Sequence, residues 1–179
     1  MKQATALLSE LARRSRDVHD MAIFSLQTGA RAGEIFSLTW ADVDLFHGTA
    51  LLRDTKNNRI RPLFLTDEIK NMLARRRATG VKSTDLVFLD KNGNKIVQIS
   101  DSFNRAIDML ELNKDVIDRR DKLTFHSLRH SYASQLVHSG VDLYHVKKLL
   151  GHSTIQLTER YSHLSESALK KAAMKIQIG

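Results

Sequence analysis

Residues 124–136 read TFHSLRHSYASQL, and this stretch combines a clear helix signal with functional side chains. Thr124 is a favoured N-cap residue, because its hydroxyl can accept a hydrogen bond from a free N–H group of the first turn. Apolar side chains then recur at three- and four-residue spacing and predict a core face; they are Phe125, Leu128, Tyr132 and Leu136. His126 and Arg129 are three residues apart, so both can reach one ligand, and the positive helix end near His126 favours an anion.

Three further motifs supply groups of the same chemical kind. Residues 28–34 read TGARAGE, residues 150–152 read LGH, and residues 160–163 read RYSH. Arginine forks match phosphate oxygens in bidentate fashion, and imidazoles exchange protons near neutral pH. A tyrosine hydroxyl can act as a covalent nucleophile once a base or a positive field lowers its pKa. Two arginines, two histidines and Tyr161 are therefore the parts needed to attack a phosphodiester without a metal.

In this order and spacing, the motifs resemble the catalytic domain of the tyrosine recombinases, the phage-integrase family. The resemblance covers nearly the whole chain, from about Val18 to the C-terminus. It implies one set of catalytic residues: Arg31, Lys56, His126, Arg129, His152 and Tyr161. In that family the arginines and histidines bind the scissile phosphate, the hairpin lysine protonates the leaving 5′ oxygen, and the tyrosine attacks. The resemblance also gives Glu34 a supporting role, and His130 is expected to anchor its helix beside the site.

Several of these residues also have a simpler interpretation. Lys56 lies at a predicted hairpin turn, where a lysine is commonly just a solvated surface side chain. Pro62, in the following strand, stands earlier than the proline often found in this strand of the family. His126 and His130 form a His-x3-His pair that could hint at a metal. No Glu follows the first histidine and no acidic third ligand is obvious, so no metal site is predicted. Tyr161 could be an ordinary core tyrosine.

The charge balance favours a polyanionic partner. The chain has 28 Lys and Arg against 20 Asp and Glu, a formal net charge of +8, and a pI near 9.9. DNA, RNA or an anionic membrane surface would satisfy this charge. The sequence contains no cysteine, which excludes disulfides and Cys-ligated zinc. No apolar run approaches the ~18 residues of a membrane span and no signal-peptide pattern opens the chain. We therefore expect a cytoplasmic protein, associated with the nucleoid of a prokaryotic host, and no membrane partner.

The apolar and turn residues predict a mixed fold, mainly α, with one small three-stranded antiparallel sheet. Helices are predicted at residues 4–14, 17–29, 33–38, 67–78, 100–112, 124–140 and 142–151, and strands at residues 43–46, 49–55 and 59–65. His47-Gly48 and Asn57-Asn58 suit the two hairpin turns. Pro62 lacks an N–H group, so its strand should lie at an edge.

Several terminal and aromatic residues refine this prediction. Asp17 is the expected N-cap of the second helix, and Gly29 its end. Ser153-x-x-Gln156 has the pattern of a capping box for a helix that carries Tyr161. Tyr132 and Tyr144 fall on a core stripe and a first helical turn, so both are expected to be structural.

The chain is expected to be a single catalytic domain, residues 1–179. Residues 1–16 would be an N-terminal helix or linker remnant, and residues 165–179 an amphipathic C-terminal helix. Family members usually carry an N-terminal core-binding domain, which is expected to be absent because the catalytic domain begins almost at residue 1. The last helix resembles a segment that relatives dock onto a neighbouring protomer; packing within its own chain is the alternative.

The resemblance implies site-specific recombination of double-stranded DNA attachment sites through a 3′-phosphotyrosyl link on Tyr161. Exchange of four strands implies a homotetramer on DNA, with a monomer free in solution. Neither a cofactor nor a metal is expected, and the sequence has no Walker motif. One alternative is a non-enzymatic DNA-binding protein with a helix-turn-helix at residues 136–152. The other is a type IB topoisomerase, although His126 favours the recombinase.

Overall fold

The computed structural model describes residues 2–54 and 59–165 of the chain. It is mainly helical with one three-stranded antiparallel sheet, which confirms the predicted fold class. The helices of the described part are α1 (Lys2–Arg14), α2 (Arg16–Thr28), α3 (Ala32–Phe36), α4 (Asp67–Arg76), α5 (Asp101–Met109), α6 (Phe125–His138), α7 (Leu143–Leu150) and α8 (Gln156–Glu159). The strands are β1 (Val43–Asp44), β2 (Thr49–Asp54) and β3 (Arg59–Phe64). Short 3-10 turns lie at Trp40–Asp42 and Ser162–Ser165.

Two apolar clusters form the core. The larger joins α1 to α5, the sheet and the start of α6, whereas the smaller joins the rest of α6 to α7 and Tyr161. They meet where α2 ends at Gly29. A Cβ added there would lie 2.6 Å from Cδ1 of Tyr132 and 3.0 Å from Cδ2 of Leu150, and φ is +68°. Glycine therefore ends α2 and also lets the two clusters approach closely.

The start of α2 differs from the prediction. Ser15 is the N-cap, and its Oγ accepts from the backbone N of Val18 at 3.4 Å. Asp17 lies in the first turn, where its carboxylate accepts from Nη2 of Arg76 on α4 at 2.7 Å. The prediction of Asp17 as the cap is therefore wrong, because an earlier hydroxyl takes the cap and the carboxylate pairs across helices.

The sheet contains the three predicted antiparallel strands, in the order β1-β2-β3. β2 lies between β1 and β3, so β3 is an edge strand and Pro62, opposite Leu51, removes no ladder donor. The first hairpin turns at Gly48, whose φ is +65°. Leu52 and Arg61 are paired across β2 and β3 and lie on the buried face of the sheet. Strand β3 thus places the side chain of Arg61 on the buried face of the sheet, toward α3 and α7.

In helices α6, α7 and α8, three predicted helix ends are confirmed and one is wrong. Thr124 is the N-cap of α6, Asp142 caps α7, and Gly151 ends α7 with φ +65°. The capping box at Ser153 is wrong: Ile155 is the N-cap of α8, and its carbonyl accepts from the amides of Thr158 and Glu159. Tyr161 consequently follows α8 instead of lying within it.

Some predictions fall on other parts of the chain. Lys56, the Asn57-Asn58 turn and the predicted helix beyond Ser165 lie outside the described residues. Within residues 2–54 and 59–165, no helix has the length and apolar character needed to cross a membrane.

Candidate active site

Arg31 lies at the N-cap position of α3, just after the left-handed turn at Gly29. The carboxylate of Glu34 folds back onto it: Oε2 accepts from the backbone N of Arg31 at 2.7 Å and Oε1 accepts from Nη1 at 3.1 Å. The Glu34 side chain is 7% exposed, whereas that of Arg31 keeps 36% of its surface. One end of the guanidinium is therefore held by the protein while the side chain remains open to a ligand.

Arg129 joins the C-terminal ends of two helices. Its Nη1 donates to the Gly29 carbonyl after α2, and its Nη2 donates to the Leu150 carbonyl of α7 at 2.6 Å. Helix C-termini carry free carbonyls and partial negative charge, so a guanidinium is well matched to them. Burial, together with the positive charges of Arg31 and Arg61, lowers the pKa of Arg129 to about 9. The group is still protonated at neutral pH.

Arg61 is a third arginine of this network, and the sequence prediction does not include it. Its Nη2 donates to Oε2 of Glu34 at 2.9 Å and to the Gly29 carbonyl at 3.4 Å, and its Nη1 donates to the Leu149 carbonyl at 2.5 Å. The residue is 9% exposed. The period of two along β3 is the signal that could have found it, because it places a basic side chain among inward-facing apolar ones.

Tyr161 contacts α6 from the end of the described chain. Its hydroxyl lies 2.5 Å from Nδ1 of His130, and the residue is 6% exposed. The imidazole of His130 in turn meets that of His126 edge-on, with ring centroids 4.7 Å apart. The three side chains thus form a continuous row from the first turn of α6 to the tyrosine.

Burial controls the protonation of this row. It lowers the pKa of His130 to about 4, with a further contribution from His126, and it also lowers the pKa of His126. Burial raises the pKa of the Tyr161 hydroxyl, which the positive charges of Arg160 and Arg129 oppose. At neutral pH His130 is therefore uncharged and can accept the hydrogen bond of a protonated Tyr161.

His152 is oriented by a buried threonine. Its Nδ1 lies 2.8 Å from Oγ1 of Thr158, which is fully buried in α8. Burial, assisted by the charge of Arg129, lowers the pKa of His152 to about 4. Because the contact at Nδ1 fixes the ring, Nε2 is the nitrogen that can address a ligand. The sequence prediction misses Thr158, since no local pattern distinguishes it.

A cleft of about 180 Å³ opens beside these groups. Its basic lining residues are Arg31, Arg61, Lys147, Lys148 and His152. Tyr144 also lines it and is 56% exposed, with Nζ of Lys148 lying 4.5 Å from its ring centroid. The Tyr144 ring therefore lies at the cleft and not in the core, and its expected structural role stays a prediction. The two arginines and two lysines are cationic, and Glu34 is the single carboxylate of the lining. The excess of positive charge makes this cleft suited to an anion.

The described residues contain no cluster of three His, Cys, Asp or Glu side chains that could hold a metal ion. The chemistry that the arrangement offers is that of fixed positive charge, neutral imidazoles and one buried phenol.

Comparison with known proteins identifies the family. The model of the phage integrase family matches residues 1–168. The chain belongs to the phage integrase family. Tyrosine recombinase XerA of Saccharolobus solfataricus is 35% identical to this chain over 150 residues, which cover 84% of this chain and 47% of the relative. The chain thus spans about half the length of that recombinase.

Solved structures show the same fold. The catalytic domain of bacteriophage HP1 integrase matches with a TM-score of 0.73 and 27% identity, over 98% of this chain and 92% of that domain. The site-specific recombinase XerH, bound to its difH substrate in a pre-cleavage complex, matches with a TM-score of 0.74 and 25% identity, over 99% of this chain and 53% of XerH. The chain therefore has the fold of an integrase catalytic domain.

The fold brings together most of the side chains that the sequence nominates. Glu34 contacts both Arg31 and Arg61, and Arg61 shares the Gly29 carbonyl with Arg129. His152 opens onto the same cleft as Arg31, and His130 connects Tyr161 to His126. Lys56 is the exception, since it lies outside the described residues. The candidate site also contains Arg61, and Thr158 behind His152, which sequence reasoning misses.

Proposed function

We propose that this integrase chain is the catalytic domain of a site-specific DNA recombinase that cleaves and rejoins strands through Tyr161. The observation that carries the proposal is the 2.5 Å contact between the Tyr161 hydroxyl and Nδ1 of His130, on the helix that also carries His126 and Arg129. An attacking tyrosine needs an acceptor for its proton, and a neutral imidazole at hydrogen-bond distance is one.

In the cleavage step, Oη of Tyr161 attacks the phosphorus of the scissile phosphodiester in line with the 5′ oxygen. A bond forms between phosphorus and the tyrosine, the bond to the 5′ oxygen breaks, and the DNA is left with a 3′-phosphotyrosyl end and a free 5′ hydroxyl. The phenolic proton passes to His130. The 5′ oxygen takes a proton from Lys56, the role that the family resemblance gives to this lysine. Attack by a 5′ hydroxyl of a partner duplex reverses the step, so neither ATP nor a cofactor is consumed.

The arginines and His152 would stabilise the extra negative charge of the pentavalent transition state. Arg31 and His152 line the cleft and can donate to the phosphate oxygens, while Arg129 supplies a fixed charge from its buried position. Donors that are already oriented stabilise developing charge without reorganising during the reaction. Neutral His152 and His126 retain one N–H donor each, which suits them to phosphate oxygens.

Double-stranded attachment-site DNA is the proposed substrate. The related XerH is bound to its difH substrate, and the present chain carries a net charge of +8. We place four protomers on paired sites, with a monomer free in solution and the segment beyond Ser165 docked onto a neighbouring protomer. The reaction would take place on the nucleoid, in the cytoplasm of a prokaryotic host.

A suicide-substrate assay tests the proposed function. Nicked duplexes tiled across candidate attachment DNA would be incubated in EDTA with wild type, Tyr161→Phe and Tyr144→Phe, and the products separated on denaturing gels. We expect a covalent protein–DNA adduct with wild type and with Tyr144→Phe, a matched control at the cleft. Tyr161→Phe should form no adduct, yet bind DNA as wild type does, because it lacks only the attacking oxygen.

Three results would contradict the proposal. An adduct formed by Tyr161→Phe would mean that another residue is the nucleophile. Salt-sensitive DNA binding without an adduct on any duplex would favour the non-enzymatic DNA-binding protein. An adduct accompanied by plasmid relaxation, but never by exchange of ends between duplexes, would favour the type IB topoisomerase.

A further inference from the structure

We propose that Arg61 is a positioning residue for DNA cleavage: it holds Glu34 and the end of α2 so that Arg31 opens onto the cleft and the buried charge of Arg129 stays fixed beside it. This role rests on the proposed function above, since cleavage is the step that it would assist. Arg61 borders the cleft, but it is only 9% exposed and its Nη1 and Nη2 donate to protein acceptors, so it acts mainly through its neighbours.

The guanidinium of Arg61 connects three parts of the fold. From β3 it donates to the carboxylate of Glu34 in α3, to the Gly29 carbonyl after α2, and to the Leu149 carbonyl in α7. These acceptors lie 27, 32 and 88 residues from Arg61 in the sequence. A planar fork with several donors can meet such divergent acceptors at once, whereas an ammonium group is a point charge.

Both site arginines share an acceptor with Arg61. Oε2 of Glu34 accepts from Arg61 and from the backbone N of Arg31, and its Oε1 accepts from Nη1 of Arg31. The Gly29 carbonyl accepts from Arg61 and from Arg129. Removing Arg61 would leave the buried Glu34 carboxylate to draw the Arg31 guanidinium inward, away from the cleft. It would also loosen the carbonyl that fixes Arg129.

The space around Gly151 is shaped to the stem of Arg61. A Cβ at position 151 would lie 2.5 Å from Cδ and 2.9 Å from Nε of Arg61, so the arginine fills the place directly under the turn that precedes His152. Nε of Arg61 is buried and has no hydrogen-bond partner within the described part of the chain. This unmet buried donor costs free energy, which the hydrogen bonds of Nη1 and Nη2 to Glu34 and to two carbonyls offset. The arginine is thus fitted tightly against the turn that precedes His152.

Arg76 provides the matched control. It is also a largely buried arginine, 16% exposed, and it joins α4 to α2 through Asp17 at 2.7 Å and Asp20 at 2.9 Å. It does not line the cleft. Arg61→Met and Arg76→Met therefore both break a buried arginine network, one within the site and one outside it.

The first measurement is the single-turnover rate of adduct formation on saturating nicked duplex, with the melting temperature of each variant recorded. We expect Arg61→Met to slow the reaction about 100-fold, the effect of misplacing groups by about 1 Å. Arg61→Lys should recover part of that rate, because it restores the charge but not the fork. Arg76→Met should cleave at nearly the wild-type rate, although it too melts at a lower temperature. Equal rates for Arg61→Met and Arg76→Met would overturn the proposal.

A second measurement does not need cleavage. The side-chain Nε–H signals of Arg31 and Arg129 would be followed by NMR while inorganic phosphate is titrated into wild type, Arg61→Met and Arg76→Met. Loss of Arg61 should shift both signals and weaken phosphate binding about tenfold, the loss of roughly one charge-assisted hydrogen bond. Unchanged signals and affinity would overturn the positioning role. If wild type forms no adduct, the proposed function fails, and the titration still decides the role of Arg61.

Discussion

The two halves of the site are held in different ways. The arginine half, which comprises Arg31, Glu34, Arg61 and Arg129, is tied to α2, α3 and α7 by bonds to carbonyls and to one carboxylate. The tyrosine half comprises Tyr161, the four-residue helix α8 and the turn Ser162–Ser165. It is held by packing of Tyr161 in the smaller apolar cluster and by the hydrogen-bond contact of its hydroxyl with His130. Groups that bind charge are thus fixed by the fold, whereas the nucleophile is carried by short elements.

This difference suits the proposed chemistry. Electrostatic stabilisation is most effective when the donors are rigid before the charge develops. The tyrosine, in contrast, must exchange its contact with His130 for a bond to DNA. Short elements with few internal hydrogen bonds open at low free energy, so they can follow such a change. The following predictions test whether the two halves really differ in this way.

The largest effect on stability should come from the arginine half. Arg129→Met removes two hydrogen bonds of a charged group to buried carbonyls and should lower the free energy of unfolding by about 3 kcal/mol. Tyr161→Phe removes one bond and should cost about 1 kcal/mol. Urea unfolding of both variants measures the difference. Equal losses of unfolding free energy in the two variants would mean that the two halves are held equally firmly.

The next effect should appear in the rate of cleavage. His130→Asn keeps a polar group near the tyrosine but cannot take its proton, so adduct formation should slow about 100-fold, the lower end of the range of general base catalysis. DNA affinity should remain at the wild-type value. His138→Asn, an exposed histidine in the last turn of the same helix, is the control and should react normally. A wild-type rate for His130→Asn would remove His130 from the mechanism.

The smallest effect should be the dependence of stability on pH. The pKa of His130 and of His152 falls to about 4 in the folded chain, from an ordinary value of 6.5. Between those values the unfolded chain binds more protons, so stability is fully present above pH 6.5 and declines as the pH falls toward 4. The loss should be modest because both imidazoles are partly exposed and solvent screens their charge.

Melting temperatures across this pH range measure the effect, with His152→Asn as the matched variant. Because the variant lacks one of the two histidines, its melting temperature should fall less than that of wild type. A melting temperature that rises on acidification would contradict the assignment of His130 and His152 as neutral in the folded chain.

Much of the fold follows from short-range patterns. Thr124, Asp142 and Gly151 mark helix ends, because a cap depends on contacts within one turn. The two wrong caps, Asp17 and Ser153, lie two residues from the true ones. In both places a competing residue starts the helix, and the choice depends on how the first turn meets its neighbours.

The order of the motifs determined the family and nominated most of the site from the sequence alone. Tertiary structure alone decided the partners of Arg61 and Thr158, and the exposure of Tyr144 at the cleft. The physical reason is that a buried polar side chain must find partners, and packing supplies those partners from distant segments. Arg61 finds one in α7, 88 residues away, which no local pattern in the sequence records.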